Sequence, residues 1–148
     1  MTAPNDPEST ADRTGAAQPR DLLELLDALP VAVSVSRFGD GFITYANLAL
    51  VALLHADGPH EVVGHPVAAF VDPRDAERVA EDIRSIRRGG SRTGDHRFRF
   101  LRCDGSGGVL EAYPIPFEQR GEPALLSIML DITDREEARQ DRDALERS

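Results

Sequence analysis

The chain has 148 residues, of which 41% are apolar, and its formal net charge is −9. This length suits a single domain with one hydrophobic core, and the excess of negative charge argues against binding nucleic acid through the overall electrostatic field. A lone cysteine, Cys103, excludes an internal disulfide bond and a cysteine-based zinc site. The sequence shows no signal-peptide features. No apolar run in it approaches the ~20 residues that a membrane span needs. We therefore expect a cytoplasmic protein that makes no membrane contact through this segment.

The first part of the chain predicts a disordered segment followed by a helix with an apolar face. Residues 1–20 are rich in Pro, Ala, Thr, Asp and Gly and nearly lack large apolar side chains, which favours disorder. The run DLLELLDAL then places four leucines on one helical face before Pro30 ends the helix; these are Leu22, Leu25, Leu26 and Leu29. This face either packs on the domain's own core or binds a partner, and the sequence leaves both readings open.

Two strands and several short helices are predicted next. In VAVSVSR, valines alternate with small residues, which indicates a half-buried strand, and GFITYA follows the FGDG turn as the second strand of a hairpin. Asn47 begins the short apolar helix NLALVALL, and EVVGHPVAAFV predicts one or two helical turns. The longest inner helix has Asp72 as its cap and Pro73 at its first position, and helix capping also accounts for Asp75.

Three further strands complete the predicted fold. The segments DHRFRFLRC, GVLEAYPIPFE and PALLSIMLDIT are separated by glycine-containing turns, as in an antiparallel meander. Together with the first hairpin they predict an α+β fold, in which helices cover one face of a five-stranded antiparallel sheet.

No motif in the chain indicates an enzyme. The four histidines lack HExxH or any other close metal-ligand spacing, and the chain contains neither a phosphate-binding glycine loop nor a nucleophile elbow. Cys103 fits a structural cysteine better than a nucleophile. We therefore expect a binding protein without a metal site.

The order and spacing of three segments resemble the PAS domain, a sensory fold of bacterial signalling proteins. The segments are LLDALPVAVSVSRFGDGFITYANLAL, EVVGHPVAAFVDPRD, and RCDGSGGVLEAYPIPF with the closing LDITDREEA. The resemblance implies a PAS domain over residues 21–133, whose sheet and helices enclose a small cavity. It also implies that residues 134–148 begin a C-terminal signalling helix, which leads to an effector such as a histidine kinase or a cyclic-dinucleotide enzyme.

The resemblance also bears on cofactors. Flavin photosensors of this family carry a cysteine where this chain reads PVAAFVDPRD, and haem sensors carry a histidine on the connecting helix, which here has none. We therefore expect neither haem nor flavin, although an unidentified small molecule can occupy the cavity. Its lining is expected to come from inward-facing residues of the PAS-like helices and strands: Val33, Val35, Tyr45, Leu50, Leu54, Phe70, Val79, Ile83, Phe98, Phe100 and Ile128. The alternative is that these residues fill a dry core.

The sequence thus predicts a sensory or dimerisation module and not an enzyme. A homodimer is expected to form through the four leucines of the first helix. One alternative is a metabolite sensor with an occupied cavity. Another is a small α+β enzyme, which would need a buried acid or base facing the cavity; Glu111 is the candidate, and its facing is left open.

The segment LDITDREEA is expected to connect the last strand to the signalling helix. Thr133 can cap this helix, and Glu136 completes a Thr-x-x-Glu capping box. Asp131 and Arg135 are four residues apart across the cap, and the resemblance to PAS domains implies that they form an ion pair. The rest of the helix carries too few apolar residues to form a coiled coil alone. We interpret it as the first turns of a longer helix.

Overall fold

The computed structural model describes residues 22–89 and 96–147. The disorder expected for residues 1–20 concerns residues outside these ranges. Five strands form one antiparallel sheet, in the order β2-β1-β5-β4-β3, and this confirms the predicted fold. The strands are β1 (Ala32–Arg37), β2 (Ile43–Ala46), β3 (Arg97–Leu101), β4 (Gly107–Gln119) and β5 (Glu122–Asp131).

Helices pack on the sheet and extend from its end. They are α1 (22–28), α2 (Leu48–Leu53), α3 (Ala76–Arg87) and α4 (Thr133–Arg147). Short 3₁₀ turns at Pro59–Glu61, Val67–Phe70 and Pro73–Asp75 connect α2 to α3. Within the described residues, no helix has both the length and the apolar character needed to cross a membrane.

The core lies between α2, the 3₁₀ turns and one face of the sheet, which we call the inner face. Large side chains from all three meet there, among them Leu50, Leu54, Val62, Phe100 and Met129. The opposite side of the sheet is the outer face. α1 is tied to the outer face near β2, because the Tyr45 hydroxyl donates a hydrogen bond to Asp27 at 2.9 Å. Burial and this contact raise the pKa of Tyr45.

Both faces of β1 are buried, so the prediction of a half-buried strand is wrong. Residues 32–36 are all buried. Ala32 belongs to the inner core, and Ser34 and Ser36 follow it on the same face. Because side chains alternate along a strand, Val33 and Val35 lie on the outer face. The valines therefore do not mark the side of the strand that faces the core.

Asn47 joins α1, β1 and α2 through its fully buried side chain. Its Oδ1 accepts hydrogen bonds from the Val33 and Leu50 amides at 2.9 and 3.0 Å. Its Nδ2 donates to the carbonyls of Leu26 and Val31 at 2.9 and 2.8 Å. These four bonds use both lone pairs and both N–H groups of the amide. The predicted position of Asn47 at the start of α2 is confirmed, and it also fixes where α1 sits.

Asp75 occupies the N-cap position of α3, but its side chain makes no capping hydrogen bond, which corrects the sequence-based assignment. Its carboxylate accepts hydrogen bonds from the Arg99 guanidinium at 2.6 and 3.0 Å and from the Arg99 amide at 2.8 Å. Those hydrogen bonds hold the pKa of Asp75 well below its usual value. Asp72 is the cap, since it accepts from the Arg74 amide at 2.9 Å. Asp75 instead attaches the start of α3 to β3.

Replacing Asn47 with aspartate should destabilise the domain strongly. The carboxylate would place oxygens without hydrogens against the carbonyls of Leu26 and Val31, and each unsatisfied buried group costs about 1–3 kcal/mol. We expect a loss of at least about 3 kcal/mol in urea unfolding. Asn47→Ser, which keeps an oxygen for the Leu50 amide, should fall between aspartate and wild type. An Asn47→Asp protein with an unchanged urea midpoint would show that this amide is not a structural centre.

Candidate functional site

A cavity lies between the inner face of the sheet and α3. It has two adjoining lobes with volumes of about 80 Å³ and about 40 Å³. Ser34, Val67, Phe98 and Met129 border both lobes. The larger lobe extends along α3 and the smaller one extends toward α2, so that residues from the sheet and from both helices face a common space.

The structure separates the predicted lining residues into two groups. Those that border the cavity are Leu50, Leu54, Phe70, Val79, Ile83 and Phe98, and Phe100 is fully buried in the adjoining core. The other four lie on the outer face, which corrects their assignment. Val33 pairs with Ile128 and Val35 pairs with Tyr45 across neighbouring strands, and directly paired residues share one face of a sheet.

Three serines supply hydroxyl groups to the cavity, and the sequence analysis did not assign them to it. Ser34 and Ser36 are only 6% and 5% exposed, and Ser127 lies directly opposite Ser34 in the β1–β5 pair. Their hydroxyls make no hydrogen bond within residues 22–89 and 96–147. Every fully enclosed side-chain oxygen in those residues has a partner, so the three serine hydroxyls are not fully enclosed, and their residues border the cavity. The small residues alternating with valine in β1 were the available signal.

The sheet passes into α4 through a turn built on Asp131 and Thr133. Asp131 Oδ1 accepts hydrogen bonds from the Thr133 amide at 3.0 Å and from the Thr133 hydroxyl. Thr133 Oγ1 in turn accepts from the Val109 amide of β4 at 3.0 Å, and the Ile132 amide donates to the Val109 carbonyl at 2.9 Å. The first residues of α4 are thus bonded to two strands. We call this turn the junction.

The predicted Asp131–Arg135 ion pair is wrong. Asp131 pairs with Arg102 at 2.9 Å, whereas Arg135 lies 3.6 Å from Glu111. The spacing of four residues brings side chains together only within a helix, and Asp131 is the last residue of β5. Partial burial opposes ionisation of Asp131, but the hydrogen bonds from Thr133 and Arg102 outweigh it and lower its pKa.

The predicted capping box is also wrong. The Thr133 hydroxyl is engaged by Asp131 and Val109, so it does not cap the first turn of α4. The Glu136 carboxylate binds Arg139 at 3.0 and 3.2 Å and does not return to Thr133. Thr133 instead attaches the start of α4 to the sheet.

Arg102 is the central residue of the junction, and the sequence analysis missed it. Its guanidinium donates to Asp131 at 2.9 Å, to the Gly107 carbonyl at 2.8 Å and to the carbonyl of Leu53 at 3.2 Å. Its Cζ lies 4.7 Å from the centre of the Phe100 ring. Since Leu53 ends α2, one side chain connects α2, the β3–β4 hairpin and the start of α4. These partners are distant in sequence, so no local pattern reveals them.

Gly108 leaves the space that the junction occupies. A Cβ atom at this position would lie 2.7 Å from Phe100 Cε1 and 3.2 Å from Arg102 Nη2, and it would overlap Thr133 Oγ1. Glycine is therefore required here because of close packing. The last glycine of the GSGG run contributes to the junction as well as to the hairpin.

The four predicted leucines of α1 differ in exposure. Leu22 and Leu25 are 54% and 59% exposed, whereas Leu26 and Leu29 are half-buried. The outer face of β4 also carries exposed apolar side chains, namely Tyr113, Ile115 and Phe117. Apolar surface thus occurs both on α1 and on the outer face of the sheet.

Glu111 lies on the outer face. It accepts a hydrogen bond from the Tyr113 hydroxyl at 2.7 Å and raises the pKa of that residue. It therefore does not face the cavity, and the candidate acid or base of the enzyme alternative is lost. Among the residues that the structure describes, no group of three His, Cys, Asp or Glu side chains could hold a metal ion.

Comparisons with known proteins agree with this architecture. A family model described as "PAS fold" matches residues 26–137. The PAS domain of an HTR-like protein from Haloarcula marismortui is 27% identical, with a TM-score of 0.63 over 84% of this chain and 99% of that one. A PAS domain from Colwellia psychrerythraea is also 27% identical, with a TM-score of 0.64 over 78% and 97% of the two chains. The PAS domain of a two-component sensor histidine kinase is 11% identical, with a TM-score of 0.67 over 79% and 98%. No curated protein matches.

Gly108→Ala should destabilise the domain by about 1–3 kcal/mol, the usual cost of overpacking. Gly39→Ala is the matched control, because a Cβ at that position meets nothing within 4 Å; it should change stability by less than about 0.5 kcal/mol. Part of the clash involves Thr133 Oγ1, so Thr133→Ala should cost less in the Gly108→Ala background than in wild type. Chemical denaturation of wild type, the three single variants and the Gly108→Ala/Thr133→Ala double variant checks this. Equal effects of both glycine substitutions would contradict the proposed packing.

Proposed function

We propose a signal-relay role for this chain because it belongs to the PAS family, whose domains are sensory modules of signalling proteins such as histidine kinases. In this role the cavity side of the domain receives a signal, and α4 carries it to an effector. The observation that supports the proposal best is the Arg102 side chain, because it bonds both to the end of α2 and to the Asp131 turn where α4 starts.

The proposed relay begins at α2. Leu50 and Leu54 border the smaller lobe of the cavity, so a change in what fills the lobe displaces α2. The Leu53 carbonyl moves with α2 and shifts Arg102, to which it is bonded. Arg102 in turn shifts Asp131. Each step is a direct contact between packed or hydrogen-bonded groups, which is the kind of physical connection that coupling between sites requires.

α4 is suited to transmit direction. None of its residues is buried, and its contacts with the sheet are concentrated in its first turn, where Glu136 lies 3.8 Å from Arg97 and Arg135 lies 3.6 Å from Glu111. A helix held at one end turns a small displacement there into a larger one at its far end. An effector fused to α4 would sense that movement.

We further propose that the chain functions without haem or flavin and is not an enzyme. Sites for ligands of that size commonly occupy about 300–1,000 Å³, more than the lobes of about 80 and 40 Å³ provide. The cavity lining contains no cysteine, and His96 is its one histidine. Partial desolvation and the nearby carboxylates of Glu61, Asp104 and Asp57 raise the pKa of the exposed Cys103 thiol, which disfavours the reactive thiolate.

We propose that two copies of the chain associate through α1 and the outer face of the sheet. Leu22 and Leu25 are exposed on α1, and Tyr113, Ile115 and Phe117 are exposed on β4. Exposed apolar side chains on two elements favour association with another surface. A second copy would cover them, because a twofold dimer brings identical surfaces together.

The relay predicts that effector output depends on the junction and on the register of α4. We would fuse the chain through α4 to the catalytic part of a histidine kinase and measure autophosphorylation. Asp131→Asn keeps an oxygen for the Thr133 amide but removes the charge that attracts Arg102. Its cost in stability should stay at about 1–3 kcal/mol, while output changes several-fold. Residues inserted one at a time after Arg147 should make output oscillate, because each rotates the following helix by about 100°.

Arg88→Asn is the control for the junction variant, since Arg88 pairs with Glu81 at 3.1 Å on the surface of α3, away from the junction. This control should leave output at the wild-type level. If output ignores both Asp131→Asn and the number of inserted residues, α4 is a passive linker and the relay is refuted.

The dimer predicts a specific effect of charge on α1. Wild type should dimerise in sedimentation experiments at high concentration, and Leu22→Glu/Leu25→Glu should remain a folded monomer, because two carboxylates would be buried in the interface. Leu48→Glu is the matched control: Leu48 is 57% exposed but lies on α2. It should dimerise as wild type does. A monomeric wild type, or an unchanged dimer of the double variant, rejects the interface.

A further inference from the structure

We propose that the cavity binds a small neutral organic molecule with one hydrogen-bonding group, which Ser34, Ser36 and Ser127 recognise. This inference rests on the proposed sensory function and specifies the chemical class of its signal. The hydrogen-bonding group lies against the sheet, where the serines are, and the apolar remainder lies toward α2 and α3.

The serine hydroxyls supply the polar part of the site. Ser34 and Ser36 are more than nine-tenths buried, and their hydroxyls make no hydrogen bond within the described residues. A polar group of a bound molecule can therefore hydrogen-bond to these hydroxyls without displacing an existing protein partner. Ser34 and Ser127 face each other across β1 and β5, where opposite Cβ atoms lie about 5 Å apart. One hydroxyl, carbonyl or amide group between them can reach both.

The volume limits the ligand to a few heavy atoms. The two lobes measure about 80 and about 40 Å³, well below the ~300–1,000 Å³ of common ligand sites. They share four lining residues, so a short chain can extend from one lobe into the other. Apart from the serines, the inner lining is apolar, with Val79, Ile83, Phe98 and Met129 as its larger members. This surface favours a short aliphatic chain.

The charges around the cavity disfavour an ionic ligand. Its charged lining residues are Arg78 and Asp82, which approach each other to 3.7 Å on α3. Arg78 also donates to the Arg97 carbonyl at 2.7 Å. His96 has an interaction partner as well. An ion among the serines would lose its hydration without gaining a counter-ion, whereas a neutral molecule avoids that loss.

The test compares four-carbon probes that differ in their polar group. 1-Butanol, butyrate and n-butylammonium are titrated into the purified chain, and amide shifts in β1, β5 and α3 are followed by NMR. Xenon is the purely apolar probe. 1-Butanol should saturate, and with five heavy atoms it can bind at best with a Kd on the order of micromolar. The two ions should not saturate in the same range.

Serine variants identify the recognising groups. Ser34→Ala and Ser127→Ala should each raise the Kd for 1-butanol by about 2- to 12-fold, the value of one neutral hydrogen bond, and should leave xenon binding unchanged. In the probe-free protein Ser34→Ala should not lower Tm, because the lost hydroxyl has no partner. Ser106→Ala is the control; its hydroxyl bonds to Asp104 in the β3–β4 hairpin, and the Kd for 1-butanol should stay at the wild-type value.

Several outcomes overturn the proposal. If no probe saturates, the cavity holds water only. If xenon binds and 1-butanol does not, or if the serine variants leave the Kd for 1-butanol unchanged, the site is purely apolar. If butyrate or n-butylammonium binds as tightly as 1-butanol, the ligand need not be neutral and the proposal is refuted. The kinase fusion is read without any probe, so its result on the junction stands or fails separately from binding.

Discussion

The buried amide of Asn47 is the interaction on which the arrangement of the domain depends. It satisfies the first turn of α2, the end of α1 and the start of β1 with four hydrogen bonds. No apolar side chain could fill this position, because the surrounding backbone groups would lose their partners. Asn47 therefore holds α1 on the outer face and α2 on the inner face at one point of the sheet.

The sequence predicted the fold but assigned part of the cavity lining to the wrong face, because both faces of the sheet are covered. Turn positions, helix locations and the hairpin and meander follow from local patterns such as Gly-rich turns and the Asn47 and Asp72 caps. Local patterns do not predict which side chains of β1 face the cavity, because they assign the more apolar side of a strand to the core. Here the valines lie on the outer face and the small residues face inward. Because Ser34 and Ser36 are small, a space remains between them and the larger side chains of α3 and β3. This space is the cavity.

The junction shows the same limit for electrostatic contacts. Pairing Asp131 with Arg135 assumes that a spacing of four residues means one helical turn. In the structure the chain changes from strand to helix between them, and Asp131 forms its ion pair with Arg102 in the neighbouring hairpin. The Thr133 hydroxyl likewise accepts a hydrogen bond from β4 and does not cap α4. The sequence located the junction correctly, but its partners come from tertiary contacts that only the folded sheet creates.

Stability and signal transfer therefore rest on different residues. Asn47 and the Asp75–Arg99 contacts are buried or partly buried, and they hold elements whose rearrangement would unfold the domain. Arg102 and Asp131 are also partly buried, at 12% and 33% side-chain exposure, but the helix that they orient buries none of its residues. Movement of α4 consequently disturbs little apolar packing. A domain built in this way can change the direction of α4 at a small cost in free energy while its sheet and core remain intact, and this is the property that a relay requires.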